Sequence, residues 1–198
     1  LDTMTSVLSY QALNYLVSGT PPKRMGNAHP NIVPYQEFAT SDGHLIVAVG
    51  NDTQFRHLAE VIGAPSLADD PLFATNEARV VNRNIVVPKL AEYIRRCRRD
   101  DLLEALEKAN VPAGPINDVA QVFAEPQVVY RKMRLDLPAG DGSSVPSVRS
   151  PIVMSGSPLV YERASPLLGE HTASILTELG YSVVEVDRLA AAGVIGKR

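Results

Sequence analysis

Residues 26–52, GNAHPNIVPYQEFATSDGHLIVAVGND, carry the strongest local folding signal of the chain. Runs of apolar, aromatic and β-branched residues lie on either side of a Ser-Asp-Gly turn at residues 41–43. An Asp-Gly pair between two such runs is typical of a β-hairpin. Asn51 or Asp52 then provides the side chain of a helix N-cap, and apolar residues at helical spacing extend to Ile62. This stretch therefore predicts a β-hairpin followed by an amphipathic helix.

The rest of the chain contains mainly helical patterns, with one further pair of strands. Apolar spacing and turn clusters predict helices over residues 76–97, 101–109, 118–124, 168–179 and 184–192, and strands over residues 133–137 and 145–148. Asp100 and Asp118 are the expected N-caps of the second and third of these helices. Pro88 begins a new helix or kinks the one around it, because proline lacks a backbone N–H. The predicted fold class is α+β.

The opening sequence, LDTMTSVLSYQALNYLVSG, predicts a helix that has a stop signal and no start signal. Gly19, followed by Pro21 and Pro22, ends this helix. The chain begins with Leu1, and neither a charged segment nor a cleavage site precedes the helix, so it is not a signal peptide. We therefore expect the chain to be part of something longer.

Proline-rich segments divide the chain into four predicted parts. Proline fixes φ and restricts the residue before it, so these segments cannot be helices. The terminal helices bury too little surface to form a domain by themselves, and we expect them to pack on a structure outside this chain. The parts are a helix over residues 1–19, a linker over 20–33, an α+β domain over 34–150, and a linker with two C-terminal helices over 151–198.

The composition argues against several classes of function. Of the 198 residues, 45% are hydrophobic and 21% are charged, which is ordinary for a folded protein. The net charge of −3 provides no basic excess for nucleic acid, and no apolar run approaches the roughly 18 residues that span a bilayer. We therefore predict that neither a nucleic acid nor a membrane is a partner of this chain. Cys97 is the only cysteine, which excludes a disulfide framework and fits a reducing, cytoplasmic location.

Three histidines and the cysteine are better interpreted as structural residues than as catalytic or metal-binding ones. His44 begins a strand, His57 lies beside an apolar helix stripe, and His171 follows Glu170 at a helix start. The sequence has no HExxH motif and no pair of histidines four residues apart, so we predict no metal site. Arginines on either side of Cys97 could lower the pKa of its thiol, but an incidental helix cysteine is the favoured interpretation.

A basic segment extends over residues 79–99. It contains seven lysines and arginines and a single acidic residue, Glu92. One interpretation is an anion site for the phosphate of a nucleotide. The favoured alternative is a solvated helix face.

The loop RMGNAHP, residues 24–30, is the best candidate for a binding site. Gly26 permits backbone conformations closed to other residues and lets a ligand approach the chain. Asn27 offers a donor and an acceptor, and His29 can act as either. GxSxG, Walker A and GxGxxG motifs are absent, and no nucleophile lies beside an evident base, so no catalytic residue is assigned. These residues alone indicate a binding module of a larger enzyme.

Five segments together resemble the class III CoA-transferase family, which includes formyl-CoA transferase, carnitine CoA-transferase and the α-methylacyl-CoA racemases. The resemblance covers essentially the whole chain, and the order and spacing of the segments agree with the family. Each segment alone would be a weak signal. The segments are LDTMTSVLSYQALNYLVSG, GNAHPNIVPYQEFATSDGHLIVAVGND, DPLFATNEARVVNR, VPAGPINDV and SPLLGEHTASILTELGYS.

The resemblance implies a small α/β domain whose flanking helices belong to a Rossmann-like large domain, with the N-terminal half of that large domain absent. Residues 1–19 resemble the last helix of that half. Residues 34–150 resemble the small domain, and the chain from about residue 151 resembles the segment that returns to the large domain. Subunits of this family interlock, which implies an interlocked homodimer for the full-length protein.

The resemblance also implies transfer of CoA between an acyl-CoA and a carboxylic acid. An aspartate of the family attacks the thioester, and an aspartyl-CoA thioester then passes CoA to the acceptor acid. Coenzyme A is therefore expected as a substrate, with no covalently bound cofactor. The aspartate belongs upstream of this chain, and Asp2 lies in a different motif. The chain alone is expected to be inactive.

The candidate loop matches a glycine-rich loop that closes over the active site of formyl-CoA transferase. Such a lid excludes water from a hydrolysable anhydride or thioester. Gly26, Asn27 and His29 are the residues expected to face substrate. This chain has a single glycine in the loop, and Pro30 stiffens it, which argues against a large closing motion.

Two alternatives remain open from the sequence. Racemases of the family often have a glutamate soon after the second strand, in a pattern like GAxEPQF, whereas this chain has GNDTQF over residues 50–55, which favours a transferase. The other alternative is a non-catalytic remnant or binding module. It predicts no large exposed apolar face, whereas part of an enzyme predicts exposed apolar stripes on the terminal helices.

Overall fold

A computed structural model describes residues 1–196 and separates the chain into two units, Leu1–Asn117 and Asp118–Arg198. The predicted α+β class is confirmed, because both units combine helices with antiparallel strands. The division falls within the domain predicted over residues 34–150, whose boundaries stay a prediction. Within the described residues, no helix is both long and apolar enough to cross a membrane.

The first unit contains six helices, three strands and a short 3-10 turn. In chain order these are α1 Asp2–Val7, α2 Ser9–Ser18, β1 Tyr35–Ala39, β2 His44–Ala48, α3 Asp52–Val61, the 3-10 turn Pro65–Ala68, α4 Asn76–Val81, α5 Arg83–Ile94, α6 Arg99–Lys108 and β3 Ala113–Ile116. The helix predicted over residues 1–19 is thus broken at Leu8 into α1 and α2. Its predicted end is confirmed, because Gly19 adopts a left-handed conformation with φ +68° and its N–H donates to the Tyr15 carbonyl.

The predicted hairpin is confirmed as β1 and β2, which pair antiparallel from Tyr35 opposite Ala48 to Ala39 opposite His44. The third strand, β3, pairs antiparallel with β2 and was not predicted, because its sequence AGPI contains turn-forming residues. Proline is tolerated there because β3 is an edge strand, and the side of its backbone that faces away from β2 needs no hydrogen-bonded neighbour. The sheet order is β1-β2-β3.

The core of the first unit lies between this sheet and helices α3, α5 and α6. The predicted apolar stripe of α3 is confirmed as buried, and Asn51 caps the helix by accepting a hydrogen bond from the Gln54 N–H. The largest fully buried apolar side chains of this core are Phe55, Phe73, Leu45, Leu58, Leu90, Ile94, Leu106, Val33, Val47, Val49 and Val86. This core holds β1 and the segment before it in a fixed position.

Two helix predictions in the first unit were wrong in detail. The helix predicted over 76–97 breaks at Asn82, whose side-chain amide donates to the Leu72 carbonyl at 3.1 Å and the Ala78 carbonyl at 3.0 Å, while Pro88 lies inside α5. Asp100 is not an N-cap, because α6 begins at Arg99 and Asp100 lies in its first turn. There its negative charge interacts favourably with the positive end of the helix dipole.

The second unit contains short helices and a two-stranded sheet. Its elements are α7 Val119–Ala124, α8 Pro126–Tyr130, β4 Arg134–Pro138, β5 Ser144–Val148, α9 Thr172–Glu178 and α10 Val183–Ala191. Asp118 caps α7 as predicted, and β4 pairs with β5 as predicted. The helix predicted from residue 168 begins later, because Gly169 has φ +82° and the Glu170 carboxylate accepts the Leu167 N–H in a turn.

Asp42 in the hairpin turn gives a pH-dependent prediction. It accepts the backbone N–H of Arg99 at 2.7 Å, which lowers its pKa below the ordinary 3.8. A lowered folded-state pKa stabilises the fold above the unfolded-state pKa, and this stabilisation is lost as the pH falls through the folded-state pKa. We expect Asp42→Asn to destabilise the chain at pH 7 and to destabilise it less at pH 3, as measured by urea unfolding.

Asp101→Asn is the matched control for this prediction. The carboxylates of Asp42 and Asp101 each lie 3.6 Å from the Arg98 guanidinium, but of the two only that of Asp42 accepts the Arg99 backbone N–H. Its substitution should change stability little at either pH. A loss for Asp42→Asn of the same size at pH 3 and pH 7 would contradict the expectation.

Candidate functional site

The candidate loop precedes β1 and is built around a left-handed glycine. Gly26 has φ +61°, and the turn is closed by the Ala28 N–H, which donates to the Met25 carbonyl at 3.1 Å. A Cβ at Gly26 would meet no atom within 4 Å, so space lies beside this backbone. The loop therefore leaves its glycine open to an approaching group.

Gly26→Ala separates the backbone requirement from steric crowding. Because the Cβ would enter open space, the cost comes from the left-handed conformation and should be about 1–2 kcal/mol of unfolding free energy. Thermal and urea unfolding measure this loss. The control is Gly114→Ala in β3, where a Cβ also meets nothing within 4 Å and φ is not positive. An equal loss in both variants would argue against a conformational origin.

Asn27 connects the loop to β1 and to a surface carboxylate. Its Oδ1 accepts the Glu37 N–H at 3.3 Å, and its Nδ2 lies 3.5 Å from the Glu37 carboxylate. The other oxygen of that carboxylate is 2.7 Å from His44 Nδ1. His44 is thus a strand residue, as expected, but it is joined through Glu37 to the candidate loop. Sequence spacing gave no sign of this chain of contacts.

His29 lies between two tyrosines. Its ring stacks on Tyr10 of α2 with centroids 5.0 Å apart and on Tyr35 of β1 with centroids 5.4 Å apart, and both pairs lie within 20° of parallel. The His29 N–H donates to the Tyr35 carbonyl at 2.9 Å, and its Nδ1 accepts the Asn31 N–H at 3.1 Å. His29 is therefore held by two stacking contacts and by a hydrogen bond at one ring nitrogen.

The segment that follows His29 is held by three side chains of α4 and α5, which we call the clamp: Asn76, Arg79 and Arg83. Arg83 donates to the carbonyls of His29 and Pro30 at 2.8 and 2.7 Å. Asn76 donates to the Asn31 carbonyl at 2.9 Å. The sequence analysis did not assign these residues to the site. They lie within DPLFATNEARVVNR, one of the five segments that carry the family resemblance.

Arg79 is the innermost residue of the clamp. It donates to the carbonyls of Val33 at 2.6 Å and Phe73 at 2.8 Å, and to the Asp52 carboxylate at 2.8 Å. Its guanidinium carbon also lies 4.2 Å from the centroid of the Phe55 ring. Burial lowers the pKa of Arg79, and the hydrogen bond and charge of Asp52 oppose that shift. Each of the three nitrogens of this buried charged group thereby donates one hydrogen bond.

The structure argues against a phosphate site in the basic segment over residues 79–99. Arg79 and Arg83 are committed to backbone carbonyls, as described above. Arg96 pairs with Glu92, and Arg99 pairs with Asp100. Arginines already engaged in this way leave little concentrated charge for an anion, so the solvated helix face is the better interpretation of the remaining part.

The contacts of His57, His171 and Cys97 fit the structural roles expected for them. The His57 ring lies 2.9 Å from the Ala109 carbonyl, and His171 precedes α9 without capping it through its side chain. Burial raises the pKa of Cys97, the opposite of what its flanking arginines were considered able to do. Within residues 1–196, no three His, Cys, Asp or Glu side chains are grouped to hold a metal ion.

An open groove of about 620 Å³ adjoins the loop. It lies between α2 and the segment over residues 20–31, and it is lined by Lys23 and by Met25 and Pro30 of the loop. Gln11 also lines it, and its side-chain oxygen is buried with no hydrogen-bond partner among the described residues. The candidate site thus combines a fixed loop with a neighbouring concave surface.

Helices α1 and α2 expose apolar side chains to solvent. Within these helices no residue is buried, and Leu16 is 76% exposed. The exposed apolar residues of this segment include Leu1, Met4, Val7, Leu8, Leu13, Leu16 and Val17. Exposed apolar surface on a terminal helix was predicted for part of an enzyme and not for a free-standing binding module.

Comparison with known proteins identifies similar chains. The model of a family described as CoA-transferase family III matches residues 1–172. Succinate–glutarate CoA-transferase of Agrobacterium fabrum is 52% identical over 179 residues, 90% of this chain and 45% of that protein. Human succinyl-CoA:glutarate CoA-transferase is 37% identical over 197 residues, 98% of this chain and 45% of that protein.

A solved structure is also similar. The crystal structure of a CAIB/BAIF family protein from Brucella suis matches with a TM-score of 0.77 and 52% identity, covering 90% of this chain and 46% of that one. The chain spans about half the length of the curated relatives it matches.

Proposed function

Because the chain belongs to CoA-transferase family III, we propose that it forms part of an enzyme that moves CoA between an acyl-CoA and a carboxylic acid. The observation that carries this proposal is the family match over residues 1–172, which includes the candidate loop and the clamp. We further propose that an aspartate outside this chain forms the covalent intermediate, as the resemblance to the family implies. This chain alone would then be inactive.

A short-chain dicarboxylic acid is the substrate class that we propose. The relatives from Agrobacterium fabrum and human are named for succinate or succinyl-CoA and glutarate. Lys23, which precedes the loop, and Arg24, its first residue, are exposed, so they could receive the second carboxylate of such an acid. A carboxylate that does not react still needs a cation or hydrogen-bond donors when it leaves water.

Gly26, Asn27 and His29 form, in this proposal, a fixed wall of the active site. The clamp and the two tyrosines hold the loop, so it would exclude water without a large closing motion. Water exclusion is needed because an acyl anhydride or thioester is readily hydrolysed. The full-length protein is proposed to be a cytoplasmic, interlocked homodimer in which other chain segments cover the apolar face of α1 and α2.

The test is a chimera in which this chain replaces the matching 179 residues of the Agrobacterium fabrum relative. We expect the chimera to transfer CoA from succinyl-CoA to glutarate, as measured by separating the two acyl-CoA esters. The chain alone should give no transfer. The intact relative is the positive control.

The alternatives predict different outcomes for the chimera. A racemase would exchange the α-proton of a branched acyl-CoA in deuterated water and would leave CoA on its original acid. A non-catalytic module would give a folded chimera with neither activity. Either result would contradict the proposal.

A further inference from the structure

The hydrogen bond at His29 Nδ1 fixes which ring nitrogen carries the proton. The backbone N–H of Asn31 points at Nδ1 across 3.1 Å. A backbone N–H can only donate, so Nδ1 must offer its lone pair. A neutral imidazole has one N–H, and it must therefore lie on Nε2. His29 is thus a hydrogen-bond donor through Nε2.

The ring cannot easily turn to exchange its two nitrogens. Tyr10 and Tyr35 both stack on it in near-parallel orientation, and the His29 N–H and carbonyl are held by Tyr35 and Arg83. The structure records no hydrogen bond at Nε2 within residues 1–196, and the residue is only half-buried. The ring edge that carries Nε2 is therefore a fixed donor with no partner recorded in the described chain.

We propose that His29 donates a hydrogen bond from Nε2 to a carboxyl-derived oxygen of the substrate, either the thioester carbonyl or the acceptor carboxylate. This inference rests on the proposed function, which brings such oxygens to the loop. A donor that is already oriented stabilises an oxygen gaining negative charge, because no reorganisation is needed when the charge develops. The clamp residue Arg83 acts here as a positioning residue, since it fixes the His29 backbone.

His29→Phe and His29→Gln in the chimera separate the donor from the stack. Phenylalanine keeps an aromatic ring between the tyrosines and removes both nitrogens. We expect a loss of about 10²-fold in kcat/KM, the usual range for removing one such donor. Glutamine can place an amide N–H near the position of Nε2, so it should recover a large part of the loss. His57→Gln, which replaces a histidine outside the loop, should keep full activity.

The split between kinetic constants identifies the oxygen that is bound. A fall in kcat with unchanged KM for glutarate indicates the thioester carbonyl in the transition state. A rise in KM for glutarate with unchanged kcat indicates the carboxylate. His29→Phe activity within twofold of the unsubstituted chimera would overturn the inference while leaving the proposed function intact.

A second measurement separates failure of the inference from failure of the proposed function. Nitrogen-15 NMR of this chain, observed at the imidazole nitrogens, needs no activity and should show the proton of the neutral His29 ring on Nε2. A neutral ring with its proton on Nδ1 would overturn the inference whatever the chimera does. An unsubstituted chimera that is folded and inactive would instead contradict the proposed function.

Discussion

Replacing Arg79 by alanine is expected to lower the unfolding free energy of the first unit by about 3–5 kcal/mol, enough to unfold many domains. The guanidinium is fully buried, and its loss leaves the Val33 and Phe73 carbonyls without their donor. Each unpaired buried group costs about 1–3 kcal/mol. The loss of packing on Phe55 adds a cavity beside the ring.

Arg79→Lys and Asp52→Asn are the matched variants for this result. Lysine keeps the charge but can reach fewer of the three acceptors, so it should recover only part of the stability. Asp52 is 54% exposed, so its substitution should cost much less than that of Arg79. Urea unfolding followed by circular dichroism measures all three. Equal losses for Arg79→Ala and Asp52→Asn would mean that the ion pair, and not the carbonyl contacts, carries the stability.

Amide hydrogen exchange is expected to differ between the two units by about 10³-fold or more. The apolar core lies wholly within residues 33–111 of the first unit. Among the described residues of the second unit, 118–196, only Ala164 and Val186 are hydrophobic side chains exposed by less than a tenth. Local opening is easiest where few apolar contacts are buried, so amides there exchange through low-energy openings.

Exchange followed by mass spectrometry of peptides from each unit measures this difference. Peptides from α3 and α5 should be the slowest, and those from β4, β5 and α9 should exchange within the shortest labelling times. In the chimera with the Agrobacterium fabrum relative, exchange in α9 and α10 is expected to be slower, because several apolar residues of these helices are exposed in this chain. Protection of β4 and β5 equal to that of α3 would contradict the expectation.

The hairpin, the cap of α3 and the left-handed Gly19 could be predicted because each depends on neighbouring residues. Asp-Gly between two apolar runs forms a hairpin turn, and the Asn51 side chain accepts a hydrogen bond from the Gln54 N–H three residues away. The break at Asn82 could not be predicted in the same way. It depends on the Leu72 carbonyl, which the fold brings to its side chain. The strand β3 likewise needed β2 as a partner.

The candidate loop was found from the sequence, but its supports were not. Glycine, asparagine and histidine in a proline-containing loop indicate a binding site by composition alone. The contacts that fix the loop join His29 to Tyr10 and to Arg83, which is 54 positions away in sequence. Hydrophobic spacing carries no information about such pairs. The anion-site interpretation of the basic segment stayed open for the same reason, although a solvated helix face was favoured, since the carbonyl partners of Arg79 are remote in sequence.

The distance in sequence between the loop and the clamp also orders the events of synthesis. As the chain leaves the ribosome, residues 24–30 emerge long before Arg83 and the rest of α5. Contacts between remote residues form only after the intervening loop has closed, which is slower than making a local turn. A nascent chain that ends before residue 83 therefore lacks the Arg83 contacts that hold the loop, and the donor edge of His29 acquires its full support only after α5 has been made.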